Sequence, residues 1–389
     1  MTRGRLMLAS ALTLGIAAGY GALQASLYEA LTPPLLAPME PAAGVGSLSA
    51  KACATCHEDI AAEWEGTGHA RATTDPLYVA DLAAQSAPYF CDHCHAPLVE
   101  QRATTTTGLW SAWPDLVPRA EDNPRVTQGL RHEGVTCVAC PQRDGAMLGA
   151  FATTIAPHPV TVNADFGSEA TCRPCHTLDL QAVGDLQRPL MDTFGEWEAY
   201  RAAGGDRTCV DCHMPTLADR PAARGGAERP AHSHALRGPF DLAFVKEGVG
   251  VEGVALQATP EGGVAGRLAL INRSGHRLPT AEPHRKLTVA LELLGAEGEV
   301  LASAAHHVQR VVDLHSLAEP SGADTTLAPR ERRPISLDIS PAPAARSARL
   351  VVRFWLWDPD DPIAQSAGLD AAALVHTLHS HSLTLTSEP

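Results

Sequence analysis

Two textures of hydrophobic patterning divide the chain. Apolar and polar residues alternate with period two over Val264–Asn272, Leu287–Leu294, Ile335–Ile339 and Arg349–Trp357. Along the last run Leu350, Val352, Phe354 and Leu356 share one face, with Arg349, Val351, Arg353 and Trp355 on the other. Turn signals such as GAEGE separate the runs. This predicts an all-β sandwich of immunoglobulin-like size over residues 248–389. Its sequence holds no cysteine, so no inter-sheet disulfide braces it. Residues 47–245 lack that rhythm and read as short helices and long loops with little sheet. The expected class is α+β, a mostly helical and looped domain followed by the all-β one.

Before both lies an apolar stretch from Leu6 to about Leu23, preceded by Arg3 and Arg5 and free of charge until Glu29. Residues 1–28 read as a cleaved export signal or, through residues 6–23, as an anchor in the inner membrane. Either places the rest in the periplasm or another extracytoplasmic space. The tract TPPLLAPMEPAAGVG makes residues 29–46 a Pro-rich linker.

Composition sharpens the contrast. Aromatic residues are only 5%, against 32 Gly and 30 Pro, which is a thin supply of large side chains for a core. Something other than side chains is therefore expected to fill the first domain. The net charge of −14 excludes nucleic acid and anionic membrane surfaces as partners, and suits a basic docking protein.

The ten cysteines form five CxxC pairs: CATCH at Cys53, CDHCH at Cys91, CVACP at Cys137, CRPCH at Cys172 and CVDCH at Cys209. A disulfide framework and a zinc ribbon both use paired cysteines, but neither needs histidine at one fixed offset after the second cysteine. Covalent haem does: two thioethers fix the porphyrin edge, and the turn aims the next histidine at the iron. Cys53/Cys56/His57, Cys91/Cys94/His95, Cys172/Cys175/His176 and Cys209/Cys212/His213 therefore read as four haem c sites. The pairs recur at a loose interval of about 35–46 residues, a set of haem-carrying units and not a strict solenoid.

In the fifth pair Pro141 stands where the histidine should be. Proline cannot replace an imidazole, so a fifth haem at Cys137/Cys140 is doubtful. The expectation is an empty pair that forms a local disulfide or stays as thiols.

Four further histidines are candidates for the opposite face of the irons: His69 after the first motif, His132 before the odd pair, His158 between two prolines, and His234 after the last motif. His93, inside its own turn, is expected at solvent or a propionate. The loop Asn272–Lys286, with His276, His284 and three arginines, is either a polar turn or a basic lid on a haem edge that presents His276 to an iron.

The segments CHAPL, HEGVTCVAC, APHPV, CHMP and HSHAL, followed by GHRLPT, resemble exported multihaem cytochromes c of the group around tetrahaem cytochrome c-554 and the hydroxylamine oxidoreductases. The resemblance spans about residues 50–385. It implies stacked haems, mostly bis-histidine, and electron transfer; some relatives act on small nitrogen or sulfur compounds at an open haem. It also implies histidine at position 141, so Pro141 is a departure.

The leading functional reading is an electron carrier between a membrane-associated donor and an extracytoplasmic acceptor, through four bis-His haems. The alternative is a haem enzyme that reduces or oxidises a small nitrogen or sulfur compound near Cys137. A third makes the β domain a docking module for redox partner proteins or for copies of the chain itself.

Overall fold

The computed structural model describes residue 19 and residues 36–385, apart from 85–90, 110–117, 144, 164, 182–183 and 315. Nearly all of the predicted export segment lies outside the described residues. Among those described, no helix is long and apolar enough to cross a membrane.

The first half is built from short helices. Four are α1 (Ala50–Ala54), α2 (Glu58–Glu65), α3 (Pro76–Ala84) and α4 (Asp92–His95). Two more are α5 (Thr193–Ala202) and α6 (Cys209–His213). The expectation of little sheet understates what forms between them. The hairpin β1 (Thr104–Leu109) and β2 (Pro118–Asp122) begins in a run of four threonines, which favour strand through their branched Cβ. A three-stranded sheet joins β3 (Gln142–Arg143), β4 (Ala146–Gly149) and β5 (Val160–Val162). A second hairpin pairs β6 (Thr216–Pro221) with β7 (Glu228–His232). The class is α+β.

After α7 (Leu242–Gly248) come the long strands. They are β8 (Val249–Ala258), β9 (Val264–Asn272), β10 (Lys286–Leu294), β11 (Val300–Gln309), β12 (Arg332–Ile339), β13 (Ser347–Trp355) and β14 (Val375–Thr384). They form two antiparallel sheets, ordered β11-β10-β13-β14 and β12-β9-β8. Leu287, Val289 and Leu291 on β10, Leu350 and Val352 on β13, Leu268 and Leu270 on β9 and Ile335 on β12 share one core. The second face of β10 is buried too. There Glu292 receives Arg349 at 2.6 Å and Arg353 at 2.7 Å from the neighbouring strand, so its charge is buried but paired.

Loops of this β unit grip the segment between the third intact motif and α5. Leu178, Leu180, Leu186 and Leu190 pack on Leu317. Beside them Arg310 and Glu319 make a bidentate ion pair, at 3.0 and 2.7 Å, with both side chains almost wholly buried. Arg310 also donates to the carbonyls of Arg188, Pro189 and Leu190. All the hydrogen-bonding capacity that matters on this guanidinium is used, which is the condition under which a buried ion survives.

Arg310→Ala leaves Glu319 buried and unpaired, and should cost about 3–5 kcal/mol in guanidinium unfolding. The double variant Arg310→Met/Glu319→Leu should recover most of that loss; a single-variant cost below about 1 kcal/mol would contradict a buried pair.

A pH test follows from Glu292. Burial pushes its carboxyl up, but Arg353 and Arg349 outweigh this and hold it below its ordinary value. Its contribution is therefore full above the unfolded carboxylate pKa of about 4 and is lost as pH falls through the lower folded value. The stability gap between wild type and Glu292→Gln should be wide near neutral pH and close on acidification. A gap that widens in acid would reverse the sign.

Candidate functional site

Each CxxCH segment folds into the same turn. The amide of the second cysteine bonds back to the carbonyl of the first, at 3.1 Å for Cys56–Cys53, 3.2 Å for Cys94–Cys91 and 3.3 Å for Cys175–Cys172. The histidine amide reaches that same carbonyl from His57, His95 and His176 at 2.9–3.1 Å. At the last motif the turn is the helix α6 itself. Thr208 caps it, accepting from the Asp211 amide at 3.1 Å while Asp211 accepts from the Thr208 amide at 2.7 Å. The turn brings the histidine out on the side of both thiols, which is what the spacing is for.

Carbonyls then fix the rings. The Nδ1 atoms of His57, His95 and His213 face the oxygens of Ala222, Ala72 and Arg237 at 2.6, 2.7 and 2.5 Å. Such a contact holds the proton on Nδ1 and leaves Nε2 as a ligand, the arrangement usual around metal-bound histidine. His276 has the same anchor, to the carbonyl of Arg277 at 2.8 Å.

Three rings find a second imidazole across a gap. His57 faces His158 at 6.5 Å between ring centres, His176 faces His69 at 6.3 Å, and His213 faces His276 at 6.4 Å. An imidazole nitrogen binds a metal at about 2 Å and lies about 1 Å from its ring centre, so two rings trans on one metal stand roughly 6 Å apart. The three separations agree with that geometry, and they also lie within the range of direct ring–ring contact. His95 differs. Its ring carries Tyr78 stacked at 4.1 Å, and Tyr78 donates to Asp92, which in turn holds Arg131 through two bonds of 2.9 Å.

The sequence candidates are thus distributed unevenly. His69 and His158 stand opposite motif histidines. His132 is exposed, and its ring is in none of these pairs. His234 turns its Nδ1 to the carbonyl of His232 at 3.0 Å, and the place opposite His213 belongs to His276 instead. His276 sits on the loop after β9, in GHRLPT; its signal was the basic loop, and only long-range folding brings it to α6. His93 is buried and not at solvent. His284 stacks on Trp357 at 3.6 Å, inside the β unit.

The electrostatics favour neutral rings. Burial, then the neighbouring His69, His213 and Arg285, pushes the His176 imidazole down to about 4. Burial lowers His69, His95, His213 and His276 as well. A neutral imidazole is the form that ligates. His176 is nevertheless exposed to solvent, as is Cys140.

The thiols also meet across motifs. Cys53 interacts with Cys137, Cys94 with Cys175, and Cys172 with Cys209. The motifs therefore form a connected array. All ten cysteines are free thiols, and among the described residues no group of three or more His, Cys, Asp or Glu converges on a metal ion. The pairs of imidazoles and pairs of thiols fit a planar metal cofactor that brings its own equatorial donors, and they fit haem.

In fold the chain is similar to the crystal structure of a penta-haem cytochrome c552 from Thermochromatium tepidum, with a TM-score of 0.63 and 20% identity, covering 88% of this chain and 100% of that one. No family model and no curated protein matches the chain.

The placement of His69 rests on Gly134. This residue has φ +54°, and a Cβ there would lie 2.3 Å from the His69 carbonyl, which already accepts from the Val135 amide. Gly134→Ala should therefore lower the thermal midpoint well beyond Gly129→Ala, whose left-handed backbone has open space around it and costs about 1–2 kcal/mol. Equal losses in the two variants would mean that the approach is not tight.

Proposed function

We propose that the chain is a multihaem c-type cytochrome that carries electrons in an extracytoplasmic compartment. The observation that carries this reading is the set of three imidazole pairs at 6.3–6.5 Å, each containing one CxxCH histidine. Cys53/Cys56, Cys91/Cys94, Cys172/Cys175 and Cys209/Cys212 are the attachment residues. His57, His95, His176 and His213 are the proximal ligands; His158, His69 and His276 complete three of the irons. Haem supplies one-electron redox chemistry when bound, and the protein sets spacing, ligation and field. The carbonyl anchors keep the rings from turning. The acidic surface favours a basic redox partner protein.

A second reading, redox chemistry on a small nitrogen or sulfur compound, needs one iron face that no imidazole closes. The ring found against His95 is a tyrosine at stacking distance, which supports keeping that reading for the second motif.

His276→Ala should convert one low-spin haem to high-spin in the electron paramagnetic spectrum, and His234→Ala should leave the spectrum as it is. The reverse outcome would remove His276 from the ligand set. His69→Met should raise the midpoint potential of one haem, as methionine ligation does; an unchanged set of potentials would argue that His69 does not ligate. Fewer than four haems by pyridine haemochrome would sink the attachment scheme.

A further inference from the structure

The loop that carries His276 belongs to the β unit, and its internal bonds fix its shape. The His276 carbonyl accepts from Asn272 Nδ2 at 2.7 Å and from the Ser274 hydroxyl at 2.8 Å. The Arg277 guanidinium turns back into the β unit, donating to Thr326 Oγ1 at 2.6 Å and to the Thr326 carbonyl at 3.0 Å. None of these bonds reaches the CxxCH motifs. The tie to them runs through a carboxylate on α5, Glu196, whose side chain is only 3% exposed.

Glu196 accepts three bonds, divided between its two oxygens. Oε1 takes Arg188 at 2.8 Å; Oε2 takes the Arg277 amide at 3.0 Å and the Thr280 hydroxyl at 2.6 Å. Burial lifts its carboxyl above the ordinary value, against the pull of Thr280, Arg188 and Arg277. Thr280 also meets the hydroxyl of Thr193, one turn earlier on α5, at 2.9 Å. The same helix is built onto the third intact motif. The Phe194 amide donates to the His176 carbonyl at 3.3 Å, and Leu178 and Met191 exchange backbone bonds of 2.7 and 3.2 Å. The loop also packs on α5: a Cβ on Gly275 would lie 3.4 Å from the Tyr200 ring and 3.7 Å from that of Trp197. One helix therefore starts at the histidine of one motif and holds, along its side, the loop bearing the imidazole opposite His213.

We infer that Glu196 is a positioning residue for the His276 imidazole, its Oε2 holding the peptide between His276 and Arg277 at the place from which the ring meets the iron of the Cys209–His213 site. The inference deepens the electron-carrier reading and rests on it. That peptide is gripped from both sides, by Asn272 and Ser274 on its carbonyl and by Glu196 on its N–H. The ring is then fixed by its own Nδ1 contact with the Arg277 carbonyl at 2.8 Å. Groups that orient a ligand matter because metal–ligand distances tolerate only about 0.2 Å. Oε1 serves stability through Arg188, and Oε2 serves the loop, so the two roles can be separated by substitution.

The test uses the full-length holoprotein and its electron paramagnetic spectrum. Glu196→Ala removes both oxygens and should convert one haem per chain from low-spin to high-spin. Added imidazole, which can take the place of the displaced ring, should return it to low-spin. Glu196→Gln keeps an oxygen for Arg277 and Thr280 but loses the ion pair, so it should lower the thermal midpoint and keep the wild-type spectrum. Glu196→Ala/His276→Ala should show the same single high-spin haem as His276→Ala. A wild-type spectrum in Glu196→Ala, equal conversion in the Ala and Gln variants, or two high-spin haems in the double variant would each overturn the assignment. If Glu196→Ala does not accumulate, Thr280→Val removes one loop donor and keeps the ion pair. It should give a partial high-spin signal at that haem, and a wild-type spectrum there would overturn the assignment too. A wild-type spectrum in His276→Ala would instead remove the ligand reading on which it rests.

Discussion

The rest of the structure depends on holding imidazoles in pairs at one separation, with the partners drawn from distant parts of the chain. His57 and His158, His69 and His176, and His213 and His276 each close a long loop, and each closure costs chain entropy that local contacts must offset. The small elements between the motifs are the offsets. Glu133 ties α1 to the third CxxC turn, Gly134 lets one strand of chain lie on the His69 carbonyl, and Arg310 gathers three successive carbonyls below α5. In a chain with so few aromatic residues these polar struts take over work that side-chain packing does elsewhere.

Charge is arranged to the same end. The chain is acidic as a whole, yet half-buried Arg285 lies near His176 and His276, and burial lowers Arg102 to about 10. Positive charge beside the rings, together with desolvation, keeps them neutral and ready to ligate. The net negative charge of the chain bears on the choice of partner.

What could be read from the sequence was what is local. The CxxCH turns are local, because the cysteines and histidine sit within one hydrogen-bonded loop. The strands β9, β10, β12 and β13 followed from alternation, since each lays one face on a shared core. The strands β8, β11 and β14 did not. They lie at sheet edges, and VGVEGVALQA, VLASAAHHVQ and VHTLHSHSLT carry glycine, alanine or histidine where a central strand would carry a branched apolar residue. The distal histidines were harder still. His69 and His158 lie close in sequence to motifs and were singled out, whereas His132 and His234 were singled out on the same grounds and stand elsewhere. His276 was legible only as part of a basic loop, because its partner lies across the boundary between the two textures. Pro141 is visible in sequence, but the turn around it, in which the Cys140 amide reaches the Cys137 carbonyl, is a property of three dimensions.

The pairing of His213 with His276 also sets an order of events during biosynthesis. A chain is made from its N-terminus, and domains tend to fold in that order. The turn of α6 is complete when Cys209–His213 has emerged, while its opposite ring waits for β8 and β9 to be made. For that interval the fourth CxxCH stands one-sided, open to thiol chemistry from the direction that His276 will later close. A nascent chain stopped between the two would hold a finished turn with an uncovered face, so the last strands act as a late seal on a site begun early.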